Sequence, residues 1–244
     1  MFQPHVFPCA FFRPAVRLLL LTALVLLLGA CGDKAIKEDY AFITFLEKQV
    51  LSAAPSAPLA ELTGAEREML GAHAGLYDTM RSSRLALDAL LAKDLPRLRD
   101  AAALETLADA LQQKGIVAEA ARSAGELKTA LADELGRALG KRRMMRVSDR
   151  VGAVYDEAFE KNVAAPARAA GTMLGALEGY FTSLLDLAEL LARSGDGYIL
   201  DGDRVHVTLA DLEPAVDGVL KDIMTRRAHL SAASIAYAEA LLGR

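Results

Sequence analysis

From Ala167 to Ser194 the apolar residues Met173, Leu177, Tyr180, Phe181, Leu184, Leu187, Ala188 and Leu191 recur every three or four positions. That period places them on one face of a long α-helix, and a face so continuous has to be buried against other helices. Gly195 follows as the left-handed residue that stops it. The same period recurs upstream. Residues 34–53 carry Ile36, Tyr40, Ile43, Leu46 and Val50 on one stripe, widened by Phe42 and Phe45, and end at Pro55 and Pro58 with Ser56 and Ala57 as a turn. A second helix opens at Thr63, whose hydroxyl can cap the amide of Glu66 while Glu66 reaches back. It runs through Leu70, Tyr77, Met80, Leu87 and Leu91 to about Lys93.

Asp94-Leu95-Pro96 predicts an interruption, because proline removes a helical donor and clashes with the preceding turn. Residues 97–146 are rich in alanine and leucine but carry Gly115, Gly125, Gly136 and Gly140. Each glycine weakens a helix by up to about 1 kcal/mol, which predicts breaks near Gly115 and Gly125. Helix resumes over 148–162 from Ser148 as cap, and Pro166 kinks or restarts it. The period then changes to Tyr198-Ile199-Leu200 and Val205-His206-Val207 around Asp201-Gly202-Asp203-Arg204, the pattern of a hairpin. A lone hairpin is marginal in water, so it must pack on the helices. Thr208, with Asp211 three residues on, starts another helix, and Pro214 is a first-turn residue or a restart. A last helix covers 225–242. The expected fold is mainly all-α, an irregular bundle of long antiparallel helices with one small β-hairpin near 198–207.

The other constraint lies at the beginning. Arg13 and Arg17 are the only charges before Asp33, and they precede the apolar run from Leu18 to Leu28. That run is short of the roughly 20 residues needed to span a bilayer. A basic segment, a short apolar segment and then small residues make a secretory signal. Leu28-Gly29-Ala30-Cys31 has the order of a lipobox: an aliphatic residue, two small residues for the peptidase, and a thiol to alkylate. Residues 1–30 are therefore expected to be a lipoprotein signal peptide that is removed. Residues 31–244 would then form a single helical domain facing the periplasm, with Cys31 as lipidation site. One acyl chain holds a protein only marginally, whereas two or three hold it permanently. Gly32 follows the cysteine; under the sorting rule for enterobacterial lipoproteins, in which aspartate there retains the protein at the inner membrane, it slightly favours the outer membrane.

Without the signal, 26 basic residues face 32 acidic ones, a net charge of about −6. This argues against nucleic acid as a partner and offers no general attraction to anionic lipid. Cys9 lies in the signal and Cys31 carries lipid, so the body has no disulfide and depends on packing alone.

Chemistry-bearing motifs are sparse. His5 is in the signal, while His73, His206 and His229 show no metal-ligand spacing, and neither metal nor cofactor is expected. There is no nucleophile elbow, P-loop or dinucleotide fingerprint. Asp196, Asp201 and Asp203 lack the register of a Ca²⁺ loop and suit hairpin turns better. Asp156 and Glu160 sit one helical turn apart, as on a solvated face. An enzyme would have to gather distant residues such as Tyr77, His229 and Asp156. Lys141, Arg142, Arg143, Arg146 and Arg150 form the one basic cluster. It suits lipid phosphates near the anchor, although a solvated helix face near a C-terminus is the plainer reading and the favoured one. Tyr40, Phe42 and Phe45, and Tyr180 with Phe181, can line a ligand groove or simply fill the core; core is the commoner use.

The stretch Leu28-Gly-Ala-Cys31-Gly-Asp-Lys34 with Ala41-Phe-Ile-Thr-Phe-Leu46, and the block Tyr155-Asp-Glu-Ala-Phe159 with Ala165-Pro166, resemble the lipoproteins grouped as domain of unknown function 3053. The likeness covers most of 28–220, with 97–147 divergent. It implies a membrane-anchored helical protein of the bacterial envelope and supplies no catalytic residues. The expected role is non-enzymatic: a body that binds or supports an envelope protein partner while its lipid holds it at the membrane. The alternative is a carrier of a lipid or other apolar ligand between helices.

Overall fold

Two helices and the turn between them form an axis on which the rest is laid. In the computed structural model, which describes residues 34–244 apart from 103, 105 and 196, α6 (Asp149–Phe159) passes through the π-helical turn Glu160–Ala164 into α7 (Ala165–Arg193). The run is about 67 Å long. Pro166 stands in the first turn of α7, where α-helical bonding restarts and its missing N–H matters least. The expected signal peptide and Cys31 lie outside the described residues.

Three helices beside this rod are α1 (residues 34–51, ending in the π-turn Leu46–Leu51), α3 (Ala74–Ala102) and α5 (Lys114–Met144). Their directions follow from their cross-links. Ser148 donates to Asp39 and Lys161 to the carbonyl of Leu51, pairs separated by 109 and 110 residues, so α1 runs parallel to α6. Tyr155 donates to the carbonyl of Leu76 and Arg84 to that of Asn162, separations of 79 and 78, so α3 is parallel to the rod too. In α5 the order reverses: Arg142 pairs with Asp156 and Lys128 with Glu178. The final helix, α8 (Glu213–Leu242), is also antiparallel to α7, with Asp222 bonded to Ser183 and Arg226 beside Gly179.

Two successive long helices can be parallel only if the chain returns between them. Residues 52–62 do this as an extended strap: Arg84, Arg81 and Tyr77 of α3 donate in turn to the carbonyls of Pro55, Leu59 and Ala60. The short α2 (Gly64–Leu70) follows, opened by the Thr63–Glu66 capping box expected of that sequence. The helix expected over 63–93 is then broken at a 3-10 turn, Gly71–His73, where Gly71 has φ 53°. A side chain at Gly71 would strike the Glu38 carboxylate.

Pro96 does not end α3, which continues to Ala102. Burial of Leu98 and Ala101 outweighs the donor lost at proline. The helix break falls instead before and after α4 (Leu107–Gln112), at Gln113, one residue ahead of α5. Gly115 therefore lies in a first turn. Gly125 breaks nothing: its missing side chain lets Glu178 of α7 lie close to the α5 backbone. Ser148 caps α6 as expected, accepting from Val151 N. Gly195 follows α7 with φ 56°.

The hairpin consists of β1 (Tyr198–Asp201) and β2 (Arg204–Val207), antiparallel, with Tyr198 opposite Val207 and Asp201 opposite Arg204. Its turn is anchored on a helix, because Asp203 accepts from Leu107 N and Gly202 O from Ala108 N at the start of α4. Thr208 caps nothing: α8 starts five residues later, with Pro214 in its first turn, and runs unbroken to Leu242, so no separate last helix begins at 225. Of the largest fully buried side chains, Tyr155, Phe42, Leu46 and Met80 belong to α6, α1 and α3, whereas Phe181 lies on α7, which packs on α5 and α8.

Candidate functional site

The bundle end at which α1 and α6 begin gathers the polar and basic residues that the sequence leaves scattered. Asp39 is its hub. One carboxylate oxygen is 2.6 Å from Nε2 of His73, and the other accepts from the Ser148 hydroxyl at 2.9 Å. The His73 ring stacks on Phe42 at 5.2 Å, and Phe42 on Tyr155 at 6.2 Å. Next to Asp39, Glu38 accepts from Ala72 N and pairs with Lys34. These bonds tie the first described turns of α1 to the 3-10 turn and to the corner between α5 and α6. Sequence reading missed them because the partners are 34 and 109 residues apart and belong to no motif.

Serine, aspartate and histidine occur together here, but in the wrong order for nucleophilic catalysis. The aspartate is central, whereas an activated serine needs the imidazole as its direct neighbour. The Ser148 hydroxyl is also engaged as a helix cap. The group is a latch.

On this end the basic cluster divides in two. Arg142 folds inward, its guanidinium 5.2 Å from the Tyr155 ring centre and bonded to Asp156. Burial pushes the Tyr155 hydroxyl well above its ordinary pKa, and it donates to the carbonyl of Leu76. Arg150 lies over the Tyr40 ring at 4.3 Å. Lys141, Arg143 and Arg146 are exposed and form no salt bridge with the described residues. Between them Met144 is 78% exposed. Ile36 and Tyr40, expected on the buried stripe of α1, are 56% and 51% exposed, because the bundle wall starts only at Phe42.

The remaining candidates stay apart. His73, His206 and His229 occupy the 3-10 turn, β2 and an exposed position on α8, and no three His, Cys, Asp or Glu among the described residues could hold a metal. Tyr77 donates to Ala60 O and Asp156 pairs with Arg142, while His229 lies about 30 Å along the rod from Asp156. Asp156 and Glu160 have separate arginine partners, Glu160 pairing with Arg168. Of the aromatic groups, Phe42, Phe45 and Phe181 are core. Tyr180 instead lines a cleft of about 330 Å³ at the opposite end, with Leu107, Ile223 and Met224, and with Asp203 and Arg227 at its polar side. Another cleft, of about 310 Å³, lies under the strap between Phe45, Gln49, Tyr77 and Asn162. No helix among the described residues is long and apolar enough to cross a membrane.

A family model described as protein of unknown function (DUF3053) matches residues 18–237. The chain is 27% identical over 188 residues to the uncharacterized protein YiaF of Escherichia coli strain K12, covering 75% of this chain and 76% of that protein. The YiaF protein of Shigella flexneri matches to the same extent. No solved structure matches.

Proposed function

The chain belongs to the family of proteins of unknown function DUF3053, and from that premise we propose that it is a lipid-anchored envelope protein whose helical body is a non-enzymatic interaction module. The observation that carries the anchor is Leu28-Gly29-Ala30-Cys31, placed after a basic and then an apolar segment and three residues before helical residue 34. The body faces the periplasm, and Gly32 favours the outer membrane. Palmitate labelling of wild type and Cys31→Ser tests this; equal labelling of the two removes the anchor.

Support for an interaction role comes from α8. Its buried stripe of Val216, Ile223 and Leu230 packs on α7, but a second stripe lies about a quarter-turn round the helix. There Met224, Ala228, Ser231, Ile235, Ala238 and Leu242 alternate four and three residues apart, all exposed. Large and small residues at that spacing make the seam that a partner helix packs into. A photocrosslinker at Ile235 in living cells is expected to capture an envelope protein. A product pattern identical to that from an exposed residue about a third of a turn away round α8, such as His229, removes the reading.

The cleft at Tyr180 favours a second reading, a carrier of a small amphipathic ligand. At about 330 Å³ it is near the lower limit of ligand sites. Retention of a ligand by the purified protein in native mass spectrometry supports that reading, and a bare protein mass counts against it.

A further inference from the structure

We propose that the α5–α6 corner and the first described turn of α1 together form a docking face for an anionic phospholipid surface. The proposal deepens the anchored reading above and rests on it for the position of the lipid. Parallel registration of α1 and α6 sets Ser148 and Arg150 beside Asp39 and Tyr40. Cys31 precedes Lys34 by three residues, a reach of at most about 11 Å. A lipid on Cys31 therefore holds this end of the bundle, rather than the hairpin end, against the bilayer.

The residues that meet the bilayer there are of the right kind. Lys37, Lys141, Arg143 and Arg146 are exposed and have no salt-bridge partner among the described residues. Arg150 caps the exposed face of Tyr40. The neighbouring acids are largely engaged: Asp39 by His73 and Ser148, Glu38 by Lys34 and the Ala72 amide, Asp156 by Arg142. Among the described residues of this corner, Asp149, exposed in the first turn of α6, opposes the cations. Met144 projects from the middle of the basic corner, and Ile36 is exposed on α1. The corner thus presents an apolar point as well as positive charge. Cations that meet phosphates, around an apolar side chain that enters the acyl boundary, are the composition of an interfacial surface. The net charge of the mature chain, about −6, makes the attraction local to this corner rather than general.

The test uses the mature lipoprotein purified from membranes and returned to vesicles of phosphatidylethanolamine, with or without phosphatidylglycerol. Cys9 lies in the removed segment and Cys31 is acylated, so Met144→Cys, Ile36→Cys and Ser231→Cys each offer one thiol for a spin label. With phosphatidylglycerol, the ratio of oxygen to aqueous nickel collisions is expected to rise severalfold at 144 and 36 and to stay at its water value at 231. Adding Arg143→Glu, Arg146→Glu and Arg150→Glu should return both labels to water, with circular dichroism unchanged and the protein still floating with the vesicles. Equal collision ratios with and without phosphatidylglycerol, or labels unmoved by charge reversal, overturn the docking face. A free thiol at Cys31 is instead a failure of the anchor. The unacylated protein then has to float with phosphatidylglycerol vesicles alone, and flotation that the charge reversal leaves unchanged overturns the docking face as well.

Discussion

The hydroxyl of Ser148 donates to a carboxylate oxygen of Asp39 across 2.9 Å while it accepts from the amide of Val151. One side chain thus starts α6 and fastens α1 to it. Ser148→Ala removes both bonds and should destabilise the protein by about 1–2 kcal/mol, a cap loss with a side-chain bond added. Ser148→Thr keeps the hydroxyl and should recover most of this. Urea denaturation followed by circular dichroism measures both; a Ser148→Ala midpoint equal to wild type means that the latch adds nothing.

Arg84 has the heavier role. Its side chain is 11% exposed, and it donates to the carbonyls of Pro55 and Asn162 and to both oxygens of Asp88. It therefore pins the strap to the π-turn in the rod. Arg84→Ala leaves these two carbonyls without their donor and should cost about 3 kcal/mol. Arg84→Lys should restore only part, since an ammonium cannot reproduce the planar fork. Thermal melts check the order: wild type above Lys above Ala, with each kcal/mol worth roughly 2–4 °C.

Two glycines should respond oppositely to alanine. At Gly71 the backbone has φ 53° and an added Cβ would lie 2.2 Å from the Glu38 carboxyl carbon, so Gly71→Ala should destabilise by about 1–2 kcal/mol. At Gly125 the helix is regular and the obstacle is the mobile end of Glu178, 2.8 Å away. Moving that end disturbs only a half-exposed pair with Lys128, whose contribution is small. Gly125→Ala should gain up to about 1 kcal/mol of helix propensity. Chemical denaturation of the two variants separates the cases, and a destabilised Gly125→Ala would mean that the close approach of α5 and α7 is itself required.

What the chain spells out locally, it forms. The Thr63–Glu66 box, the Ser148 cap, the Gly195 stop, the stripe of α7 and the hairpin around Gly202 each depend on residues within a few positions of one another. Pro96 shows where local reading ends: its penalty is real, but Leu98 and Ala101 bury beyond it and hold the helix. The parallel course of α1 and α3 was equally hidden, because it depends on a strap whose bonds are made by arginines and a tyrosine 17 to 29 residues downstream. The basic corner was visible as composition, but its place beside α1 was not. That neighbourhood depends on Asp39, His73 and Ser148, three ordinary polar residues with no spacing in common.

Alkaline pH should expose the buried tyrosines. Burial raises Tyr155 above its ordinary value of 10.0, with the nearby Arg142 charge acting weakly in the opposite direction. Burial likewise raises Tyr77, Tyr180 and Tyr237. Above about pH 10 the unfolded chain loses these protons while the folded chain keeps them, so the folded state binds more protons and stability falls as pH rises. The stabilisation is thus complete below the unfolded value and is lost as pH climbs toward the folded one. Tyr155→Phe removes the largest of these shifts. It should lower stability at neutral pH by about 1 kcal/mol through the lost bond to Leu76 O, yet flatten the decline above pH 10. Urea midpoints of wild type and Tyr155→Phe, measured from neutral pH to pH 11, should therefore converge. Parallel curves would show that Tyr155 ionises in the folded protein as readily as in the unfolded one.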